Sequence, residues 1–123
     1  MAIRVLVVED DPDSLELMTY LFHAFGHEAI GAHTGDEALV LAMSARPDLI
    51  LCDLRLPGMD GFELLSRLKS DPYLQSIPVV AVTAYAMPGD RERVMSAGFQ
   101  GYVTKPIDPQ TFVRQAEEFS ARA

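Results

Sequence analysis

The stretch Asp48–Gly61, DLILCDLRLPGMDG, decides the fold. Leu49-Ile50-Leu51-Cys52 is a short continuous apolar run, and Pro57-Gly58 breaks the chain soon after it. A run of that length between breakers reads as a strand buried on both faces, the kind found in a parallel sheet covered by helices. A lone carboxylate, Asp53, stands at the carboxyl end of the run, where open α/β sheets place their ligands. Taken alone, Asp53 either starts a turn or does chemistry.

Outward from that strand, the chain repeats one pattern. Ile3–Val8, IRVLVV, is a second buried strand. EDDPDS follows it, with Pro12 suited to a first helical turn and acids at the favourable amino end. Leu15, Met18, Phe22 and Phe25 recur at helical spacing, and Gly26 closes that helix. A weaker strand over His27–His33 leads to a helix over TGDEALVLAMSA. There Thr34 is the expected cap and Ala38, Leu39, Leu41 and Ala42 form the expected apolar face. Pro47 ends that helix.

Beyond the opening stretch, DGFELLSRLKSDP from Asp60 reads as an amphipathic helix with Phe62, Leu65 and Leu68 on one side. Ile77–Ala84, IPVVAVTA, is another buried strand. MPGDRERVMSAG (87–98) reads as a helix stopped by Gly98, GYVTKP as a short strand, and DPQTFVRQAEEFSARA (108–123) as a closing helix with Phe112, Ala116 and Phe119 on one stripe. Five strands alternating with five helices mean repeated βαβ units and a parallel sheet, with helices on both faces. The expectation is one doubly wound α/β domain over residues 1–123, with nothing after the last helix for an output domain.

Composition narrows the function. The 123 residues are 49% hydrophobic and 23% charged, ordinary for a globular chain. No apolar run is long enough to cross a bilayer, and MAIRVLVVEDD lacks a signal peptide's apolar stretch and cleavage site, so a cytoplasmic location is expected. The net charge of −8 argues against a nucleic-acid surface, which needs basic residues against phosphates. A single cysteine, Cys52, excludes an internal disulfide and a cysteine-rich metal site, and its place in the apolar run makes it a core residue. His23, His27 and His33 are scattered without metal-ligand spacing.

The strand ends carry the chemistry. Glu9, Asp10 and Asp11 end the first strand, Asp53 the third, Thr83 the fourth and Lys105 the fifth. Each has an ordinary use by itself: acids at a helix start, a hydroxyl on backbone, a solvated lysine. Together, each ending a different strand, they should meet at one crevice. Clustered carboxylates repel by about 4 kcal/mol per pair at 4 Å and an effective dielectric near 20, so either a proton or a divalent cation must neutralise them. Mg²⁺ suits oxygen ligands beside phosphate, and an ionised Asp53 is a competent phosphoryl acceptor.

The pieces VLVVEDD (5–11), PDLILCDLRLPGMDG (47–61), IPVVAVTA (77–84) and GYVTKPI (101–107), in that order and at those separations, resemble the receiver domain of two-component response regulators over essentially the whole chain. The resemblance implies a flavodoxin-like (βα)5 sandwich of strand order 2-1-3-4-5. It makes Asp53 the phosphoacceptor, with Asp10 and Asp53 direct Mg²⁺ ligands, Glu9 a ligand through water and the Arg55 backbone carbonyl a further one. It gives Thr83 and Lys105 the phosphoryl oxygens, makes Lys105-Pro106 a cis peptide, and puts Tyr102 at the aromatic switch position. Arg55 and Tyr85, two residues after Asp53 and Thr83, are candidates for tuning loss of the phosphoryl group.

The same resemblance implies a signalling protein that is not an enzyme toward outside substrates. Its donor would be a sensor histidine kinase or a histidine phosphotransfer protein, received beside the first helix and the loop after the fifth strand. Its output would pass to a protein target through the face of the fourth helix, fifth strand and fifth helix, as a monomer or weak dimer. Two rivals share parts of the pattern. A Mg²⁺-dependent phosphatase with an Asp nucleophile would carry a second Asp two residues on, where Arg55 stands. A binding module that works without phosphorylation would have lost the Asp or the Lys, and both are present. A flavin-binding module would need a phosphate loop after IRVLVV, and none follows.

Overall fold

The structure is a computed structural model that describes residues 2–84 and 88–121. Its elements are β1 (Arg4–Val8), α1 (Pro12–Ala24), β2 (Glu28–Ala32), α2 (Gly35–Ala45), β3 (Leu49–Cys52), α3 (Gly61–Ser70), β4 (Val79–Thr83), α4 (Asp90–Ala97), β5 (Gly101–Thr104) and α5 (Phe112–Ala121). The strands form one parallel sheet in the order β2-β1-β3-β4-β5, as expected.

Side chains alternate between the two faces of a strand, and each face has its own core. Val5, Val7, Leu49, Leu51, Val80, Val82 and Val103 point to the face covered by α1 and α5, where Phe22 and Phe112 pack with ring centroids 5.4 Å apart. Leu6, Val8, Ile50, Cys52, Val79 and Ala81 point to the other face, under α2, α3 and α4. Because both faces are covered, the strands read as unbroken apolar runs in the sequence. Cys52 is fully buried, as expected of a core residue.

Local chemistry sets most helix ends. Asp11, Thr34 and Asp60 each accept a hydrogen bond from the backbone N–H three residues on, which caps α1, α2 and α3. Three details depart from the sequence reading. In α2 the buried residues are Gly35, Ala38 and Ala42, while Leu39 and Leu41 are half-buried. Gly35 joins that face because a Cβ there would stand 2.8 Å from Met59 Sδ, while Leu39 and Leu41 pack against the core from its margin. The fourth helix starts at Asp90, after Pro88 and a left-handed Gly89; Met87, where the reading began it, lies outside the described residues. The fifth starts at Phe112, because residues 108–111 form a turn in which Asp108 accepts from Gln110 and Thr111.

Register is what positions the site. Val8 pairs with Cys52, Cys52 with Ala81, and Thr83 with Thr104, so the carboxyl ends of four strands lie along one rim. Asp53 N–H donates to the Val8 carbonyl at 3.0 Å and Lys105 N–H to the Thr83 carbonyl at 2.9 Å. Residues next after each strand are therefore neighbours in space. No described helix is long and apolar enough to cross a membrane.

Candidate functional site

Asp53 is held from both sides of its carboxylate. It is 8% exposed; Oδ1 accepts the Arg55 backbone N–H at 2.9 Å and Oδ2 accepts Lys105 Nζ at 2.8 Å. The first bond comes from the tight turn after β3, the second from the rim register of β5. Gly61 closes the same turn: its N–H donates to the Leu54 carbonyl at 3.0 Å. A Cβ on Gly61 would stand 2.6 Å from the Asp53 carbonyl oxygen, so the start of α3 can approach Asp53 only as glycine.

Glu9 lies deeper, at 1% exposure. One carboxylate oxygen pairs with Lys105 Nζ, and the other accepts the Asp11 N–H at 3.2 Å. Asp10 is exposed, yet one oxygen each of Glu9, Asp10 and Asp53 lie within 4.8 Å of one another. Asp11 takes a different path. Its side chain caps α1 through Ser14 N–H at 3.0 Å, and the Ser14 hydroxyl, followed by that N–H, holds its carboxyl below the usual range. The three adjacent acids thus divide into two that line the crevice and one that builds the helix.

Thr83, the last residue of β4, is 1% exposed and sits on the rim directly beside the Lys105 backbone. Tyr102 in β5 is half-buried, pairs in register with Ala81 and packs against the core beneath α2, α3 and α4. Lys105-Pro106 is cis, as expected. Arg55 is exposed at the mouth of the crevice, and Tyr85 lies outside the described residues. An apolar cleft of about 410 Å³ opens beside Lys105, lined by Ser14, Leu17, Met18, Ala84, Pro106 and Ile107.

The electrostatics follow from burial. Desolvation pushes the Glu9 carboxyl above its ordinary value, against the pull of Lys105. Burial draws the Lys105 ammonium down, but bonds to Asp53 and Glu9 outweigh it and hold the group above the ordinary lysine range. Burial, with the charge of Asp53 added, pushes the Cys52 thiol far up, so it stays protonated and inert.

Three carboxylates against one ammonium leave two negative charges in a small volume. The donor atoms are all oxygens, the set that suits a hard divalent cation such as Mg²⁺. The crevice can therefore pair a cation with a nucleophilic carboxylate and offer an ammonium to an incoming anion. Sequence reasoning named the residues but missed two contacts. The Arg55 N–H on Asp53 follows from the turn, and the Lys105–Glu9 pair spans 96 positions of sequence, with no local signal.

A family profile described as the response regulator receiver domain matches residues 5–117. The polar-differentiation response regulator DivK of Brucella anthropi is 44% identical over 115 residues, covering 94% of each chain. The chemotaxis response regulator CheY4 of Vibrio cholerae superimposes with a TM-score of 0.89 at 26% identity, covering 97% of this chain and 99% of that one. The receiver domain of a sensor histidine kinase from Pseudomonas aeruginosa PAO1, a structure with a magnesium ion coordinated in its active-site cleft, superimposes with a TM-score of 0.88 at 28% identity, covering 98% and 99%.

Proposed function

Because the chain belongs to the response regulator receiver family of two-component systems, we propose that Asp53 accepts a phosphoryl group from a phosphohistidine donor and that residues 1–123 act as one receiver domain signalling through protein contacts. The observation that carries this reading is the meeting of Asp53, Lys105, Glu9 and Asp10 at one rim.

In the transfer, an Asp53 oxygen attacks phosphorus in line with the donor nitrogen. The O–P bond forms, the N–P bond breaks, and the nitrogen keeps the electron pair. The Arg55 N–H on Oδ1 fixes the carboxylate's rotation before attack. Lys105 exchanges its bond to Asp53 Oδ2 for one to a phosphoryl oxygen, so its charge stays in the site throughout. The Thr83 hydroxyl takes a second phosphoryl oxygen. Asp10, Asp53, Glu9 (through water) and the Arg55 backbone carbonyl would hold Mg²⁺, which would supply positive charge against the carboxylates and the incoming phosphoryl oxygens.

The modified side chain carries about −1.5 to −2 charges, by analogy with phosphorylated hydroxyls, in place of the single charge of the free carboxylate. Thr83 moves toward it and Tyr102 turns into the space released, which changes the face of α4, β5 and α5. Phosphorylation shifts that equilibrium only through its unequal interaction with the two states. The donor, a histidine kinase or histidine phosphotransfer protein, docks over the apolar cleft beside α1 and presents its phosphohistidine to Asp53. Arg55 and Tyr85 set how readily water reaches the acyl phosphate. The protein works in the cytoplasm as a monomer or weak dimer and turns over no outside substrate.

The test is incubation with acetyl phosphate and Mg²⁺, followed by intact-mass measurement. The wild type gains one phosphoryl group and Asp53→Asn gains none. Labelling of Asp53→Asn to the wild-type level overturns the assignment, and steady hydrolysis of a generic phosphate ester would favour a phosphatase instead.

A further inference from the structure

One aromatic side chain grips α4 in two places, and phosphoryl transfer makes no use of it. The Arg93 guanidinium carbon lies 4.6 Å from the centroid of the Phe62 ring, a cation–π contact from α4 to α3. The same ring meets Phe99 edge-on, with centroids 5.8 Å apart and planes at 80°. Phe99 follows directly on Gly98, the left-handed residue that ends α4, and is 3% exposed. Phe62 therefore touches α4 at Arg93, its fourth residue, and the chain again at Phe99, just past its end.

The helix it holds is weakly seated. α4 has eight residues, and Val94 is the buried one. Its amino end is Gly89, which has no side chain with which to cap, and both Gly89 (φ 93°) and Gly98 (φ 111°) are left-handed. A short helix between two such glycines moves as a unit at low cost, so single side-chain contacts weigh heavily in its position.

Phe62 is itself tied to the site. It follows Gly61, whose missing Cβ lets the start of α3 sit against the Asp53 carbonyl, where a Cβ would come within 2.6 Å. A displacement of the Asp53 turn is thus passed to Phe62 through the first residue of α3, whose N–H is bonded to the Leu54 carbonyl. We propose that Phe62 is a latch that sets the resting position of α4 and couples it, through Gly61, to the turn bearing Asp53. This route runs through Gly61 and α3, in addition to the movement of Thr83 and Tyr102. Its use as a switch rests on the phosphoacceptor reading; the latch itself does not.

The experiment is amide hydrogen exchange on the full, unphosphorylated chain. Arg93→Gln should speed exchange across α4 about two- to fivefold, the range of an exposed cation–π contact, and leave the strands unchanged. In a Phe62→Leu background, which keeps an apolar side chain at the position, the same substitution should add nothing. Unchanged α4 exchange in Arg93→Gln, or additive effects of the two substitutions, overturns the latch. A second arm reads the coupling with beryllofluoride and Mg²⁺, a mimic of the aspartyl phosphate. Arg93→Gln should bind it tighter by the same two- to fivefold, because the resting state has lost support. Faster exchange with unchanged beryllofluoride affinity overturns the link to Asp53. Failure of the wild type to bind beryllofluoride counts against the phosphoacceptor reading alone and leaves the exchange arm in force.

Discussion

Lys105 Nζ stands 2.8 Å from Oδ2 of Asp53, a contact made across 52 positions of sequence, and the same ammonium pairs with the buried carboxylate of Glu9. One cation therefore serves two acids that burial would otherwise leave uncompensated. Lys105→Ala should lower stability at neutral pH by about 2 kcal/mol, since removing one partner of a buried pair exposes the full desolvation cost of the other. Urea unfolding without divalent cation measures it. The loss should shrink in a Glu9→Gln background, and an equal loss there would mean that the ion pair is not its source.

The leftover negative charge makes the apo site a stability liability that a cation relieves. Mg²⁺ at about 100 times its dissociation constant should raise stability by about 2.7 kcal/mol. For a chain of this size that is a rise of about 10 °C in Tm. Asp10→Asn should remove most of the gain, because the Asp10 oxygen sits with those of Glu9 and Asp53 within 4.8 Å. A Tm that ignores Mg²⁺ in the wild type would dismiss the acidic cluster as a metal site.

Glu9 gives the pH dependence its sign. Burial raises its carboxyl above the ordinary value of 4.5, so between that value and the folded one the native state binds more protons than the unfolded chain. Its contribution to stability is complete below about pH 4.5 and is lost as pH rises through the folded value. In chelator, Glu9→Gln should therefore overtake the wild type in stability as pH goes from 4.5 to 7. Parallel stability curves for the two proteins would contradict the direction.

The legibility of these features follows their physics. Strands such as Arg4–Val8 and Leu49–Cys52 were readable because burial on both faces leaves unbroken apolar runs, and the rim residues followed from where those runs stop. The burial of Gly35 at the start of α2 was not readable, since glycine carries almost no hydropathy signal and the close approach of Met59 is made across the fold. Nor was the duty of Asp11, the one of three adjacent acids that turns back to cap α1, whereas Glu9 and Asp10 were placed at the site by the family resemblance. The start of α4 was obscured because a charged helix with Val94 as its buried residue has no apolar stripe to mark its first turn.

Two glycines at helix starts should respond unequally to alanine. At Gly35 a Cβ meets Met59 Sδ at 2.8 Å, the end of a flexible side chain that can move aside. Gly35→Ala should cost less than about 1 kcal/mol, helped by alanine's helix preference. At Gly61 the Cβ meets backbone, the Asp53 carbonyl oxygen at 2.6 Å and Leu54 Cα at 2.8 Å. Gly61→Ala should cost about 2–3 kcal/mol and slow labelling from acetyl phosphate, because the turn that aims Asp53 must shift. Equal losses at the two sites by thermal unfolding would refute the distinction.

Arg46 ends α2 with φ 49° and ψ 66°, the left-handed conformation that side chains disfavour, and its N–H donates to the Ala42 carbonyl at 3.1 Å. Helices usually place glycine at such an end, because a Cβ there crowds the following carbonyl by about 1–2 kcal/mol. The position is exposed, so little packing is lost with the side chain. Arg46→Gly should relieve the strain, partly offset by glycine's greater freedom in the unfolded chain. The net expectation is a gain of about 0.5 kcal/mol, a rise in Tm of about 2 °C. Arg46→Ala, which keeps the Cβ, should give no such gain. If alanine stabilised as much as glycine, the cause would lie in the lost guanidinium and not in the backbone.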